Sequence, residues 1–408
     1  MNPFQLTAGL LTLVALAGWA NAKTIRLPDG VAMLIAGLIG AVMLVVLRAL
    51  HVPVVNQIVD AIVHIDFAQA VVGYMLAFLL FAGAMQVDLS ALLKRWVSVS
   101  ALATLGVLGS IAIVGFGLWA ITQFVGLPLT LPWALAFGAL ISPTDPVAVL
   151  ATVKQGNLSE TLKVILEGEA LFNDGVGIVA FTALVALATG VGNAVPMHAI
   201  VDIVLQAAGG LVFGITLSWL VIRVMGTLDD FMVEVSMTIA LAMVSYAGAQ
   251  ALGLSGAIAV VGAGMLFGGE RAKQAMSGEA EAYLKAFWTL VDEILNALLF
   301  LLLGVEMLAV PFVGDHLGLL AAVIPLVVLS RFIVVIPWGI YLRSRGEKGA
   351  TIILGWGGLH GALSLALALS LPQGPERAVL LAVTYAVVAF SLTVQGLSFA
   401  PLTRRLQG

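Results

Sequence analysis

Near residue 145 a long apolar stretch reads Ser142-Pro143-Thr144-Asp145-Pro146, and the next one carries Glu167-Gly168-Glu169-Ala170-Leu171-Phe172-Asn173-Asp174-Gly175. Prolines end helices and free backbone carbonyls, and acids at membrane depth mark ion or proton paths. The two segments together suggest a cation site built at a broken helix. Asp174 leads the candidates. Counting from Lys163 at a rise of ~1.5 Å per residue places it near the bilayer midplane. An acid there costs roughly 2.5–3.5 kcal/mol on insertion scales. At such a position a proton and a hard cation compete for the same carboxylate oxygens.

The neighbours of Asp174 define the rest of the site. Asn173 offers a carbonyl oxygen to a cation or bridges to the broken helix, and its neutrality leaves Asp174 as the only charged member of the pair. One charge suits one-for-one exchange. Thr144 supplies a hydroxyl ligand beside Asp174, so the expected Na+ position lies at Asp174 and Thr144. Asp145 neutralises the positive end of the half-helix that follows, or else ligates the ion itself. Glu169 shares a helix face with Asn173 and points about 140° away from Asp174, so it should meet a different neighbour. Glu167 lies nearer the inner surface and fits a solvated funnel. Arg331 is the one basic residue well inside a span and needs a carboxylate or carbonyl partner.

The elements that hold these residues are membrane spans. The chain has 408 residues, of which 61% are hydrophobic and only 10% charged, too little charge to cover a soluble surface. It has no cysteine, which excludes disulfides, thiolate metal sites and a cysteine nucleophile. Hydropathy predicts about thirteen spans: 6–22, 30–50, 69–87, 97–122, 131–153, 163–189, 197–225, 230–252, 255–269, 284–309, 316–343, 350–371 and 376–402. The first ends in Ala20-Asn21-Ala22, which resembles a cleavage site. No Lys or Arg precedes it, so it is read as an uncleaved span.

An odd number of spans puts the termini on opposite sides. With the C-terminus cytoplasmic, nearly all of the eighteen Lys and Arg fall in or beside inner loops; Arg48 and Arg377 fall outside, and Arg331 lies within a span. The N-terminus is therefore expected outside. Span 5 carries Pro143 and Pro146, and span 12 carries Gly355, Gly357, Gly358 and Gly361 around His360. Interrupted spans at matching places suggest an inverted repeat, 6–189 against 230–402, with 197–225 as the linker. No soluble regulatory domain is expected.

The first two motifs, taken with Trp356-Gly357-Gly358-Leu359-His360-Gly361-Ala362-Leu363-Ser364-Leu365-Ala366-Leu367-Ala368-Leu369-Ser370-Leu371-Pro372, resemble the sodium/proton exchangers of the monovalent cation:proton antiporter-1 family. The resemblance implies an all-α polytopic membrane protein, a homodimer of thirteen-helix subunits, each with a mobile core holding two crossed, broken helices. It implies that Asp174 binds cation or proton alternately, that Thr144, Asn173 and Asp145 shape the site, and that the core moves like an elevator. The family commonly has arginine at the position of His360, paired with the glutamate matching Glu169. Histidine is shorter and titrates near neutral pH, so a His360–Glu169 contact is a pH-dependent or neutral hydrogen bond if it forms. Glu169, His360 and Arg331 are thus read as a supporting ion-pair network. In Leu79-Leu80-Phe81-Ala82-Gly83-Ala84, Ala82 stands where many members carry an acid.

The expected function is electroneutral exchange of Na+ or Li+ for H+ across a bacterial-type inner membrane, with no cofactor, no enzymatic chemistry and no nucleic-acid partner. K+/H+ exchange by the same mechanism is the near alternative. An intramembrane aspartyl protease built on Asp145 and Asp174 lacks a Gly-x-Gly-Asp segment and gives Asn173 and the prolines no role; a passive channel would not need titration at Asp174.

Overall fold

The computed structural model describes residues 3–24, 27, 29–50, 73, 75–127, 129–145, 158–190, 196–228, 230–276, 280–306 and 317–407. Within them the chain is helical throughout. Helices α1 (Pro3–Lys23), α2 (Asp29–Ala49), α3 (Leu76–Gln86), α4 (Leu89–Ala101), α5 (Val107–Val125) and α6 (Leu131–Ile141) form the first part. Then come α7 (Glu160–Thr189), α8 (Pro196–Met225), α9 (Phe231–Ala251), α10 (Gly256–Phe267), the short α11 (Glu270–Ala275) and α12 (Ala280–Glu306). The last part is α13 (Leu317–Ser344), α14 (Ala350–Trp356), α15 (Ala362–Leu369), α16 (Pro375–Phe390) and α17 (Gly396–Gln407).

Eight helical stretches among the described residues are long and apolar enough to cross a membrane, and α3, α6 and α10 are shorter apolar helices. Part of the difference from thirteen predicted spans has local causes. Predicted span 3 begins outside the described residues, and so do Pro146 and the remainder of span 5 to residue 153. Span 12 is divided into α14 and α15, seven and eight residues long. Predicted span 4 is longer than expected: α4 and α5 join through a π-type turn, Leu102–Gly106, into one helix from Leu89 to Val125.

The helix ends follow their sequences. Thr130 precedes α6 and Pro132 opens it, where a missing N–H costs nothing. The same helix stops at Ile141: Ser142 still has helical geometry, and Pro143 then removes the next N–H donor. Ser159 caps α7 by accepting from the Leu162 N–H at 3.3 Å, and Gly190 closes it with φ of 69°.

Helix α7 is the shared wall of the molecule. Its Ala180 and Phe181 join a core with Phe137, Leu140, Phe300, Leu365 and Tyr385. Its Val164 and Leu171 join a second core, where Trp288 packs 4.7 Å from the Phe81 ring and donates to Thr238 Oγ1 at 3.0 Å. Ile165 and Leu166 join a third with Val335, Ile353 and Phe399. A helix held on three sides can carry polar residues at fixed positions.

Helices α2 and α12 cross so closely that Gly37 and Gly304 meet backbone to backbone. A Cβ on Gly304 would lie 2.8 Å from the Leu38 nitrogen and 2.9 Å from the Gly37 Cα, whereas one on Gly40 would meet nothing within 4 Å. Backbone cannot step aside as a side chain can. Gly304→Leu is therefore expected to cost about 1–3 kcal/mol or more through overpacking, seen as a lower Tm of detergent-solubilised protein. Gly40→Leu on the same helix pair should leave Tm near its original value.

Candidate functional site

Two helices lose their regular hydrogen bonding inside the bundle, and their loose ends meet each other. The first break is Ser142 to Asp145 after α6; the second is Gly357 to Gly361 between α14 and α15. The Asp145 N–H donates to the Leu359 carbonyl at 2.7 Å. In the opposite direction, His360 Nδ1 lies 3.3 Å from the Pro143 carbonyl oxygen. A carbonyl only accepts, so in this bond Nδ1 carries the proton. These two bonds tie the breaks together.

Other freed groups find partners nearby. The His360 N–H donates to Ser391 Oγ at 2.8 Å, Gln395 Nε2 donates to the Trp356 carbonyl at 3.4 Å, and Arg331 Nε donates to the Leu354 carbonyl at 3.2 Å. Ser391 and Gln395 belong to a second π-type turn, Ser391–Gln395, between α16 and α17. Such turns shift side chains off the regular helical positions and recur at functional places.

Helix α7 presents its polar residues to this crossing. Asn173, fully buried, donates from Nδ2 to Thr144 Oγ1 at 2.8 Å and accepts from the Thr144 N–H at 3.4 Å. Asn173 thus bridges to the broken helix, and its carbonyl oxygen is used by the backbone. Thr144 Oγ1 keeps a lone pair after accepting from Asn173. Four residues earlier, Glu169 takes both Nη atoms of Arg331 in a bidentate pair, Nη1 to Oε1 and Nη2 to Oε2, the latter at 2.8 Å. Glu169 is 1% exposed and Arg331 7%, so the pair is buried in full.

His360 therefore stands apart from the ion-pair network expected for it. The Glu169 carboxylate is held by Arg331, whose longer side chain reaches across from α13, and the imidazole is held by Pro143 on the other break. The Arg331 partner left open by the sequence is Glu169, with the Leu354 carbonyl as a second acceptor.

Asp145 reaches the second break. Its carboxylate packs against Gly361, the residue that caps the N-terminus of α15, where a Cβ would lie 2.8 Å from the Asp145 Cβ. A carboxylate at the positive end of a helix is in a favourable field. The half-helix expected directly after Asp145 lies outside the described residues.

Asp174, Thr144 and Asp145 line one cavity of about 910 Å³. Asp174 and Asp145 are close enough to interact electrostatically. From Asp174 the cavity follows α7 past Ala170 and Glu167 to Lys163 and Glu160. Its other wall is a polar face of α12 formed by Thr289, Asp292, Glu293 and Asn296, with Asn296 Nδ2 donating to Asp292 Oδ1 at 2.9 Å. That face escaped the sequence reading, although spacing of three, four and seven residues is the signature of one helix side. Ala82, by contrast, is buried in the core beside Phe81 and Ala84, and lines no part of this cavity.

The buried pair makes a direct prediction. Arg331→Met strands the Glu169 carboxylate and should cost about 3–5 kcal/mol, since breaking a buried pair leaves an uncompensated charge. Adding Glu169→Gln should recover most of the lost Tm in the double variant. Equal Tm in the single and double variants would contradict this account.

Comparison with known proteins gives the family of this chain. Residues 10–405 match the family model described as sodium/hydrogen exchanger, transmembrane. The Na(+)/H(+) antiporter NhaP of Pseudomonas aeruginosa is 40% identical over 410 residues, covering 98% of this chain and 96% of that protein. The Na(+)/H(+) antiporter NhaH of Halobacillus aidingensis is 34% identical, covering 97% and 96%. In fold, the chain is similar to the sodium proton antiporter MjNhaP1 from Methanocaldococcus jannaschii at pH 8, with a TM-score of 0.75, 20% identity and complete coverage of both chains. With a family model matching residues 10–405 and a relative 40% identical over nearly the full length, this chain belongs to the sodium/hydrogen exchanger family, in the cation:proton antiporter-1 group.

Proposed function

We propose that this protein is a secondary active antiporter exchanging Na+ or Li+ for H+. The observation that carries the reading is Asp174, set on a rigid helix beside Thr144 and Asp145 at the crossing of two broken helices, and facing a cavity. Each partner has a separate task. Thr144 Oγ1 offers a neutral oxygen while Asn173 fixes its position. Asp145, settled at the start of α15, stays with the helix end, which leaves Asp174 as the group that changes its occupant. Cation out and proton in, or the reverse, then alternate on one carboxylate. One elementary charge is exchanged for one, and the cycle is electroneutral.

The cavity runs to the Glu160–Lys163 end of α7, where Glu160 is exposed. That end borders a loop that the distribution of Lys and Arg assigns to the cytoplasm, so the conformation is read as inward-facing, with the N-terminus outside. Carboxylates at its mouth attract cations and repel anions. Transport requires the cavity to close and the opposite side to open. An elevator-like movement of the crossed helices with α7, against a wall containing α12, fits the way polar faces of α7 and α12 line opposite sides. Thirteen spans in two inverted repeats, assembly as a homodimer and residence in a bacterial-type inner membrane complete the proposal. K+ as the main cation remains the alternative within the same mechanism.

Proteoliposomes with an acid interior and a pH-sensitive dye test it. Addition of Na+ or Li+ should restore the dye signal, and Asp174→Asn should abolish the response. Recovery with K+ alone would change the cation, and a response retained in Asp174→Asn would refute the site. Because proton and cation compete for one carboxylate, the apparent KM for Na+ should rise about tenfold per unit of falling pH where the proton wins. Maximal rate at saturating Na+ should change far less.

A further inference from the structure

The first turn of α15 carries a hydroxyl with no partner. Ser364 is the third residue of that helix, is 1% exposed, and its Oγ has no hydrogen-bond partner. Serine and threonine in helices usually donate back to a carbonyl three or four residues earlier. Thr384 does so to Leu380 at 2.6 Å, and Ser370 to Leu367 at 2.7 Å. For Ser364 the corresponding residues are Gly361, the N-cap of α15, and His360 in the unwound break, and its Oγ bonds to neither. Beside the break, this hydroxyl is left without a partner.

Its location gives the hydroxyl a use. Among the described residues, buried hydroxyls without a hydrogen-bond partner also occur at Ser218 and Ser245, but neither residue lines the cavity; Ser364 does, together with Thr144, Asp145 and Asp174, its Oγ lying just behind the cavity surface. Gly361, three residues before it, packs against the Asp145 carboxylate. Ser364 therefore belongs to the second broken helix, across the crossing from Thr144 on the first. Small hard cations take oxygen ligands, and neutral hydroxyls add coordination without adding charge.

We infer that Ser364 Oγ is a further oxygen ligand of the transported cation, held directly or through one water, so that the two broken helices each contribute a hydroxyl to the ion at Asp174. The inference rests on Asp174 being the exchange site. The hydroxyl takes no part in carrying the proton. Its loss weakens cation binding, and leaves proton binding and the conformational cycle in place.

Exchange rates measured against Na+ and Li+ concentration in proteoliposomes separate this role from a structural one. Ser364→Ala removes the oxygen, Ser364→Cys keeps the volume with a soft sulfur, and Ser364→Thr keeps the hydroxyl. Ala and Cys variants should raise the apparent KM for both ions about three- to tenfold, as expected for loss of one polar contact, with maximal rate within about twofold. The Thr variant should restore a KM close to that of the original protein. An unchanged KM in the Ala and Cys variants, whether or not maximal rate falls, would overturn the role. Asp174→Asn run alongside must lack exchange; activity retained there would refute the underlying site, independently of how the Ser364 variants behave.

Discussion

Everything in this fold depends on one rule: inside a bilayer, a backbone N–H or C=O without a partner costs several kcal/mol. Two helices that stop within the membrane violate it twice over. The molecule meets the rule by crossing the breaks, so that the groups released by one are taken up by the other. Asp145 N–H on Leu359 and His360 on Pro143 are the direct ties. Arg331, Gln395 and Ser391 reach in from α13 and the Ser391–Gln395 turn to satisfy three more: the Leu354 and Trp356 carbonyls and the His360 N–H. The cation site is what this solution leaves over: a few oxygens and one aspartate gathered where regular structure has been given up.

Charge is arranged by the same economy. Three acids lie on or beside α7 at this depth, and two already have employment. Glu169 is neutralised by Arg331 in a pair that fixes α7 to α13. Asp145 sits against the start of α15. Asp174 faces the cavity. On the proposed reading, confining the change of protonation to this residue makes exchange one-for-one, and Ser364 and Thr144 tune the cation without altering that count.

Much of this was legible in the sequence because it is local. Pro143 stops α6 where proline chemistry says it must, the glycines around His360 mark the second break, and the apolar runs mark the long helices. Glu169 and Asp174 facing different neighbours followed from helix geometry alone. What the sequence withheld were choices among distant partners. A buried glutamate announces that it needs a cation, but Arg331 and His360 were both available, and side-chain reach across a three-dimensional crossing decided the matter. The π-type turn that delivers Ser391 to His360 has no strong local signal. The polar face of α12 did have one, in the spacing of Thr289, Asp292, Glu293 and Asn296, and was passed over because α12 otherwise reads as an ordinary apolar span.

The central claim is that one carboxylate exchanges one cation for one proton. The most direct measurement is the null point of transport: proteoliposomes with a fixed tenfold Na+ gradient are set to a series of pH gradients until net proton movement vanishes, with membrane voltage clamped by K+ and valinomycin. Exchange of one for one predicts a null near ~1 pH unit, unmoved by voltage, because no net charge crosses. A null that shifts with voltage, or that falls near ~0.5 unit as two protons per cation require at zero voltage, would contradict the account and bring a second titrating group into the cycle.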